Sequence, residues 1–400
     1  MLFGVIITVI LGMIAGVITG LIPGIHVNLV SATLVSLSPI IIPFAGILPA
    51  CCFIIAMATT HSFLDALPSV FLGAPEAATA LGVLPGHRYL LKGQGLMAVK
   101  LTIIGSLGSL VLAGTLFPLL LPVVAWGYPH LQHVIGWLLL AVAVFMILRD
   151  RKPGWAAFIF LISGLLGFIV LNELSLKNPL FPLLSGLFGT ATLLISLNET
   201  SSLPEQQRKD YTELDSKKTL QAFGSGTLSG FVTAVLPGIG AATAAVLSMQ
   251  ITRKIGDHGF MVLMGGISTS NFVLSLVTLQ ALGKARNGAL VAVKMLMEHV
   301  QLVHVLMFLF VALLAGGVAG VLALQLGTGF ANTMKKVPYH YLLLAVILLI
   351  VALTPILSGI QGIIVLVIST AVGLLPAIKK VSRTQAMGCL LVPVMTYFLL

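Results

Sequence analysis

Polar side chains interrupt two apolar stretches of the chain, and their types suit ion binding inside a membrane. Residues 60–65 read THSFLD, and no lysine or arginine precedes Arg88. A carboxyl group in an apolar segment without a local basic partner favours protonation or cation coordination. We therefore predict that Asp65 binds Na⁺ or H⁺ as a coupling ion, with Thr60 and, in the second stretch, Thr269 as further ligands.

A Pro-Gly break ends the first apolar run at residues 20–26, GLIPGIH, and the phrase returns at residues 234–240, AVLPGIG. A broken helix in hydrocarbon leaves N–H and C=O groups unpaired, which costs several kcal/mol for each group unless a partner binds them. A helix that restarts after the break points its free N–H groups and the positive end of its dipole at the break, and such ends attract anions. Two breaks therefore predict one anion site with two helix N-termini, whereas a pair of ordinary Pro-Gly surface turns is the simpler alternative.

The residues predicted to bind the anion flank the two breaks or belong to polar clusters and lysines at matching positions. They are Pro23, Gly24, His26, Asn28, His61, Ser62, Lys100, Pro237, Gly238, Gly240, Thr243, Ser270, Asn271 and Lys294. Hydrogen bonding between helices is the alternative role of the serines and threonines, and snorkelling is the alternative role of the lysines. His26 stands where the second copy has Gly240, which predicts an asymmetric site.

The composition requires helices that cross a membrane. Of the 400 residues, 58% are hydrophobic and 8% are charged, and the mean hydropathy is +1.13. No alternating ten-residue segments typical of a membrane barrel occur. We predict an all-α, multi-pass integral protein of the cell membrane, with roughly 10–14 membrane segments and with broken or re-entrant helices.

The net charge of +10 lies mostly in short loops between apolar runs, at residues 149–152, 253–254, 335–336 and 379–383. The positive-inside rule produces this distribution, and no basic face with interleaved aromatic residues indicates a nucleic-acid partner. We interpret the excess positive charge as a determinant of membrane topology.

Two similar halves flank a polar linker. Residues 1–197 form an N-terminal transmembrane repeat, residues 198–218 the linker, and residues 219–400 a C-terminal repeat. Residues 15–29 align with 229–243, 60–63 with 269–272, and 98–100 with 292–294, in the same order. Internal repeats of this kind are typical of secondary transporters, many of which have inverted repeats. The matched lysines at positions 100 and 294 would instead favour a parallel repeat if both face the cytoplasm.

Catalysis is poorly supported by the sequence. No G-x-S-x-G, H-E-x-x-H or P-loop motif occurs, and the apolar runs contain no pair of carboxylates at helical spacing. Cys51, Cys52 and Cys389 lack metal-ligand spacing and are interpreted as packing residues. We expect no enzyme activity, catalytic residue, bound metal or cofactor other than the coupling ion.

The repeated Pro-Gly phrase and the run at residues 179–189, PLFPLLSGLFG, resemble the tripartite tricarboxylate transporter permease family, in its large TctA-type membrane subunit. The resemblance covers both halves and implies cation-coupled import of citrate and related carboxylates. It implies two partners, a small membrane subunit and an extracytoplasmic binding protein, and it puts the substrate and cation site at Pro23–Gly24 and Pro237–Gly238. The chain is shorter than typical permeases, so a self-sufficient branch and a homodimer stay open.

The sequence thus predicts a secondary active transporter of small organic anions that is coupled to Na⁺ or H⁺. One alternative keeps the fold and replaces the cargo by a phosphorylated polyprenyl lipid carrier that is turned over between leaflets, because helix N-termini also suit phosphate. An intramembrane enzyme is the second alternative, and the missing catalytic motifs disfavour it.

Overall fold

The computed structural model describes residues 2–22, 27–73, 83–131, 134–197, 216–236, 244–245, 248, 252, 255–334 and 339–400. These residues are predominantly helical. Within the described residues, seven helical segments are long and apolar enough to cross a membrane, and three shorter apolar helical segments accompany them. The prediction of an all-α integral membrane protein is confirmed.

The helices of the first part of the chain are α1 (Leu2–Leu21), α2 (Val27–Ser36), α3 (Ser38–Ala45), α4 (Ile47–Leu64), α5 (Ala66–Phe71), α6 (Val83–Leu91), α7 (Gly95–Leu131), α8 (Ile135–Leu148), α9 (Pro153–Phe168), α10 (Leu180–Leu184) and α11 (Ala191–Leu197). Two π-helical turns, Ile169–Glu173 and Ser185–Thr190, extend α9 and join α10 to α11.

The helices of the second part are α12 (Ser216–Val235), α13 (Gly256–Leu282), α14 (Gly288–Leu296), α15 (Leu302–Met334), α16 (Tyr339–Ser358), α17 (Gln361–Lys379) and α18 (Gly388–Leu399). A 3₁₀ turn, Arg383–Met387, precedes α18.

Two long apolar stretches of the sequence, residues 27–58 and 287–328, are each divided in the structure. The run at residues 27–58 is split into α2, α3 and the start of α4, and Gly46 between α3 and α4 has a φ of +84°. A positive φ is accessible to glycine at little cost and ends a right-handed helix. The run at residues 287–328 is likewise split, because Met297 is extended and ends α14 before α15 begins.

Glycines spaced four residues apart bring α1 against α4. A Cβ atom added to Gly16 would lie 2.6 Å from the Met57 carbonyl oxygen, and one added to Gly20 would lie 2.8 Å from the Leu64 Cβ. Small residues at such spacing allow close backbone approach in membranes, where packing and hydrogen bonds drive helix association. Because later residues of α1 meet later residues of α4, the two helices run parallel.

The pair α12 and α13 repeats this arrangement. Gly226 lies against Leu263 and Gly266, and a Cβ added to Gly230 would lie 2.8 Å from the Asn271 backbone nitrogen. Gly230 aligns with Gly16 when residues 15–29 are aligned with 229–243. Gly226 aligns with Gly12 of α1 when that alignment is extended by one helical turn towards the N-terminus. The origin of the two pairs from homologous halves stays a prediction.

The two pairs run in opposite directions through the protein. α5 continues α4 and packs on α6, where Val70 lies beside Gly86. In α6, Arg88 Nη2 forms an ion pair with Oδ1 of Asp257 at 2.8 Å, in the first turn of α13. The end of α4–α5 and the start of α13 therefore lie at the same face of the molecule, so α4 enters from one face and α13 from the other.

Most of the described lysines and arginines collect at the face where α13 begins, which we call the basic face. There, Lys152 Nζ donates to the Lys379 carbonyl oxygen at 3.1 Å, and the Asp150 carboxylate accepts from the Ser382 backbone nitrogen at 3.1 Å. The described lysines and arginines at this face are Arg88, Lys92, Arg149, Arg151, Lys152, Lys217, Lys218, Lys379, Lys380 and Arg383. The positive-inside rule predicts that this face is cytoplasmic.

The matched lysines lie towards opposite ends of α13. Lys100 is in the second turn of α7, which begins at the basic face, whereas Lys294 Nζ donates to the carbonyl oxygen of Gly283, directly after α13 ends. α13 has 27 residues, which corresponds to about 40 Å of helix. The two lysines do not both face the cytoplasm, so they give no support to a parallel repeat.

Candidate functional site

The two Pro-Gly breaks lie outside the described residues. This applies to Pro23, Gly24, His26, Pro237, Gly238, Gly240 and Thr243 among the predicted anion-binding residues. The structure does describe the helices that lead into both breaks and the polar residues that neighbour them.

A side-chain hydrogen bond joins the two helices of each pair shortly before the break. His61 Nδ1 and Thr19 Oγ1 are 3.1 Å apart between α4 and α1. In the second pair, Asn271 Nδ2 donates to Thr233 Oγ1 at 2.5 Å between α13 and α12. Thr19 and Thr233 are aligned in the sequence, so each break is preceded by a threonine at the same distance along the chain. His61 and Asn271 are thereby fixed in orientation beside the helix ends.

Ser270 serves the packing of α13. Its hydroxyl donates to the Gly266 carbonyl oxygen at 2.5 Å and lies 3.2 Å from the Gly226 carbonyl oxygen of α12. Because the Ser270 hydroxyl is hydrogen-bonded to these backbone carbonyl oxygens, the contacts of Ser270 fit the alternative role in helix packing better than the predicted role in anion binding.

Asp65 lies at a small cavity enclosed by α4, α5, α7 and α13. The Asp65 side chain is buried, and the residue is 4% exposed. The cavity has a volume of about 20 Å³, which is enough for one water molecule or one bare cation. Its polar lining consists of Ser62, Asp65, Ser69, Thr102, Ser106 and Ser268.

Three hydroxyls of this lining donate their protons to backbone carbonyls. Ser62 Oγ donates to Thr59 at 2.9 Å, Thr102 Oγ1 to Val99 at 2.8 Å, and Ser106 Oγ to Gly265 at 3.1 Å. The oxygen lone pairs of these hydroxyls then remain as acceptors. A cavity that combines a carboxylate with hydroxyl acceptors suits a proton or a hard cation, which takes oxygen ligands. It does not suit an anion.

The structure does not bring Thr60 and Thr269 to this cavity. Both hydroxyls are buried and have no hydrogen-bond partner within the part of the chain that the structure describes. They occupy matching positions in α4 and α13, each one residue before a position predicted to bind the anion. Their predicted contribution to ion binding would therefore be separate from that of Asp65.

Asn28 and Lys294 lie together at the face opposite to the basic face, and Lys100 does not. α14, which carries Lys294, packs against α2, and a Cβ added to Gly288 would lie 2.9 Å from the Asn28 Nδ2 atom. Lys100 belongs to the basic half of α7. The predicted anion-binding lysines are thus distributed over both sides of the membrane.

Sequence reasoning missed Ser69, Thr102 and Ser106 as members of the cavity. Asp65 and Ser69 are four residues apart, and so are Thr102 and Ser106, which places each pair on one helical face. That spacing is the signal that could have identified them, but it is common in membrane helices.

Sequence reasoning also missed a basic cluster at the basic face. Arg383 donates to the Thr192 hydroxyl, and His87 is buried nearby. Burial lowers the pKa of His87 to about 4, and the positive charge of Arg383 contributes in the same direction. Burial also lowers the pKa of Arg383 itself. His87 is therefore neutral at physiological pH.

Comparison with known proteins identifies the family. An uncharacterized protein of Methanocaldococcus jannaschii is similar to this chain, with 28% identity over 385 residues that cover 94% of each protein. No solved protein structure matches the chain. Residues 6–388 match the Tripartite tricarboxylate transporter TctA family, and this match spans both helix pairs, both Pro-Gly breaks and the Asp65 cavity. The chain is therefore a multi-pass membrane permease that belongs to the tripartite tricarboxylate transporter TctA family.

Proposed function

We propose that this protein is a secondary active transporter that moves small carboxylate anions across the cell membrane, coupled to Na⁺ or H⁺ bound at Asp65. The observation that carries the proposal is the buried Asp65 carboxyl group at a small cavity among hydroxyl acceptors. The family membership supports the carboxylate as cargo.

The energetics of Asp65 support a bound cation or proton. An ionised carboxylate in a membrane interior is penalised by several kcal/mol relative to water. The lone pairs of hydroxyls that already donate to backbone carbonyls are available to a cation at the cavity. Protonation or a coordinated Na⁺ would neutralise the carboxylate and so lower this penalty.

The carboxylate substrate is assigned to the two Pro-Gly breaks. Thr19–His61 and Thr233–Asn271 hold the helices that lead into the breaks, and they lie on helix pairs of opposite direction. Opposed broken helices that present N-termini to an anionic substrate near the bilayer midplane are a recurrent device of transporters with inverted repeats. The family further implies a small membrane subunit and an extracytoplasmic binding protein as partners.

Uptake of labelled citrate into proteoliposomes under an imposed Na⁺ or pH gradient tests the proposal. We expect gradient-driven uptake by the wild-type protein. The Asp65→Asn variant keeps the side-chain volume and removes the titratable charge, so the stimulation by the gradient should fall at least about tenfold. Citrate exchange without a gradient should persist, because the carboxylate site is left intact.

Asp257→Asn is the matched control, since this carboxylate is solvent-exposed and lies outside the cavity. It should retain coupling. If Asp65→Asn responded to the gradient as the wild type does, Asp65 would not be the coupling site. If the wild-type protein, reconstituted together with the small membrane subunit and the extracytoplasmic binding protein, moved neither citrate nor other carboxylates under either gradient, the transport proposal itself would be wrong.

A further inference from the structure

The connection between α13 and α14 concentrates positive charge at the face opposite to the basic face. Lys284 and Arg286 lie in this connection, and Lys294 of α14 folds back onto it through its bond to the Gly283 carbonyl oxygen. The positive-inside rule disfavours lysine and arginine on the extracytoplasmic side of a membrane protein. A cluster of basic residues that departs from this rule indicates a functional role.

One tyrosine ring organises two of these cations. Tyr128, near the end of α7, is 7% exposed. Arg286 Nη2 donates to the Tyr128 hydroxyl at 2.6 Å, and the Arg286 Cζ atom lies 5.1 Å from the ring centroid. Lys284 Nζ lies 4.8 Å from the same centroid. Cation–π contacts of this kind contribute about 0.5–2 kcal/mol and fix the positions of both charges.

No carboxylate neutralises these two cations among the described residues. Neither Lys284 nor Arg286 forms a salt bridge there, although the ring holds both positive charges close together. Two fixed like charges repel each other, and an anion between or beside them relieves that repulsion.

The connection also contains two buried donors without an acceptor. Arg286 Nε and Asn287 Nδ2 are buried and lack a hydrogen-bond partner in the described part of the chain. The Oδ1 atom of Asn287 does have a partner, because it accepts a hydrogen bond from the Leu290 backbone nitrogen at 2.9 Å and caps α14. A buried donor left unpaired costs about 1–3 kcal/mol, and a carboxylate supplies the acceptors that both donors lack.

The cluster adjoins the helix that follows the first Pro-Gly break. Asn28 lies in the first turn of α2 and packs against Gly288, the residue that follows Asn287. We propose that Tyr128, Lys284, Arg286 and Asn287 form an extracytoplasmic entry site that binds a carboxylate group of the substrate before it reaches the breaks. This inference rests on the proposed function, and it specifies where a multivalent carboxylate first contacts the permease.

Citrate uptake by right-side-out membrane vesicles tests the entry site with the double variant Lys284→Gln/Arg286→Gln. The apparent KM for citrate should rise about tenfold, while kcat stays within about twofold, because the transport machinery at the breaks and at Asp65 is unchanged. The dependence of uptake on ionic strength should also weaken, since exposed charges attract anions most strongly at low salt.

Lys92→Gln/Arg151→Gln is the matched control, because it removes one lysine and one arginine from exposed positions at the basic face. Its KM and salt dependence should equal those of the wild type. A double variant at positions 284 and 286 that behaves like this control would overturn the entry site. An equal loss of kcat and thermal stability without a change in KM would also overturn it, since it would show a structural role.

Equilibrium binding of labelled citrate to the purified protein separates this inference from the transport proposal. Citrate binding that the double variant weakens, in a protein that transports no carboxylate, would support the site and refute transport. Transport with an unchanged KM in the double variant would refute the entry site alone. A wild-type protein that neither binds nor transports citrate would refute both.

Discussion

The crossing of α7 and α13 should tolerate no side chain at Gly105. A Cβ added to Gly105 would lie 2.7 Å from the Val262 carbonyl carbon, and Cβ atoms in proteins essentially never approach heavy atoms within 3.0 Å. The obstacle is backbone, so the helices themselves must separate. Ser106 Oγ, which donates to the Gly265 carbonyl oxygen at 3.1 Å across this crossing, would then lose its bond.

The expected loss of stability in Gly105→Ala follows from these two effects, the steric overlap and the lost hydrogen bond. Overpacking of a close contact is destabilising by about 1–3 kcal/mol, and an interhelical hydrogen bond in a membrane protein contributes about 0.6 kcal/mol. Gly127→Ala in the same helix is the matched control, because nothing lies within 4 Å of its added Cβ. Both variants gain the same helix propensity, so Gly105→Ala should be less stable than Gly127→Ala by about 2–4 kcal/mol.

Denaturant unfolding of the purified variants in detergent, followed by circular dichroism, measures this difference. Because Ser106 and Gly265 also line the Asp65 cavity, Gly105→Ala should additionally weaken ion coupling in the liposome assay. Equal unfolding free energies for the two variants would show that α7 and α13 do not approach each other as closely as described. The described geometry of the cavity, which depends on this approach, would then be wrong.

Two further predictions concern the basic face. The folded protein binds a proton at His87 only near pH 4, whereas the unfolded chain binds it near pH 6.5. Stability should therefore fall by up to about 3 kcal/mol as the pH drops through that window, and thermal unfolding of His87→Gln should lack this component; an identical pH profile would contradict the burial of His87. The side chains of Arg88 and Asp257 are 58% and 41% exposed, so a double-mutant cycle should give a coupling energy below about 1 kcal/mol, which salt reduces further. A salt-independent coupling above that value would show that the pair is shielded from solvent.

The fold class could be predicted from the sequence because composition alone decides it. A chain with 58% hydrophobic residues has to satisfy its backbone inside the membrane, and helices do so locally. The polar residues His61, Asp65 and Asn271 were recognisable for the same reason, since each interrupts an apolar run.

The members of the Asp65 cavity could not be predicted in the same way. Thr102 and Ser106 come from α7 and Ser268 from α13, and the cavity exists only because these helices cross at Gly105 and Gly265. Many glycines occur in the sequence, and none of them is marked as a crossing point. A threonine or serine that donates to its own helix backbone likewise resembles every other such residue until the neighbouring helix is placed.

The direction of the helix pairs decides how Lys100 and Lys294 are interpreted. Equal residue types at aligned positions suggest equal environments, and that reasoning holds only for a parallel repeat. Because α4 and α13 run in opposite directions, Lys100 and Lys294 lie at different faces of the molecule although the sequence aligns them. A match of residue types between two aligned positions therefore does not show that the two positions lie at the same face.

The Asp65 cavity lies at a seam between tightly joined units. Glycine-mediated backbone contacts join α1 to α4, and others join α7 and α12 to α13. No described glycine makes such a contact between α4 and α13, although both helices line the cavity. The contact between α4 and α13 is thus looser than the glycine-mediated contacts within each unit. Asp65 and Ser62 stand on one side of the seam, and Ser106 and Ser268 stand on the other. The proposed cation would contact both sides and so link the two units across the seam.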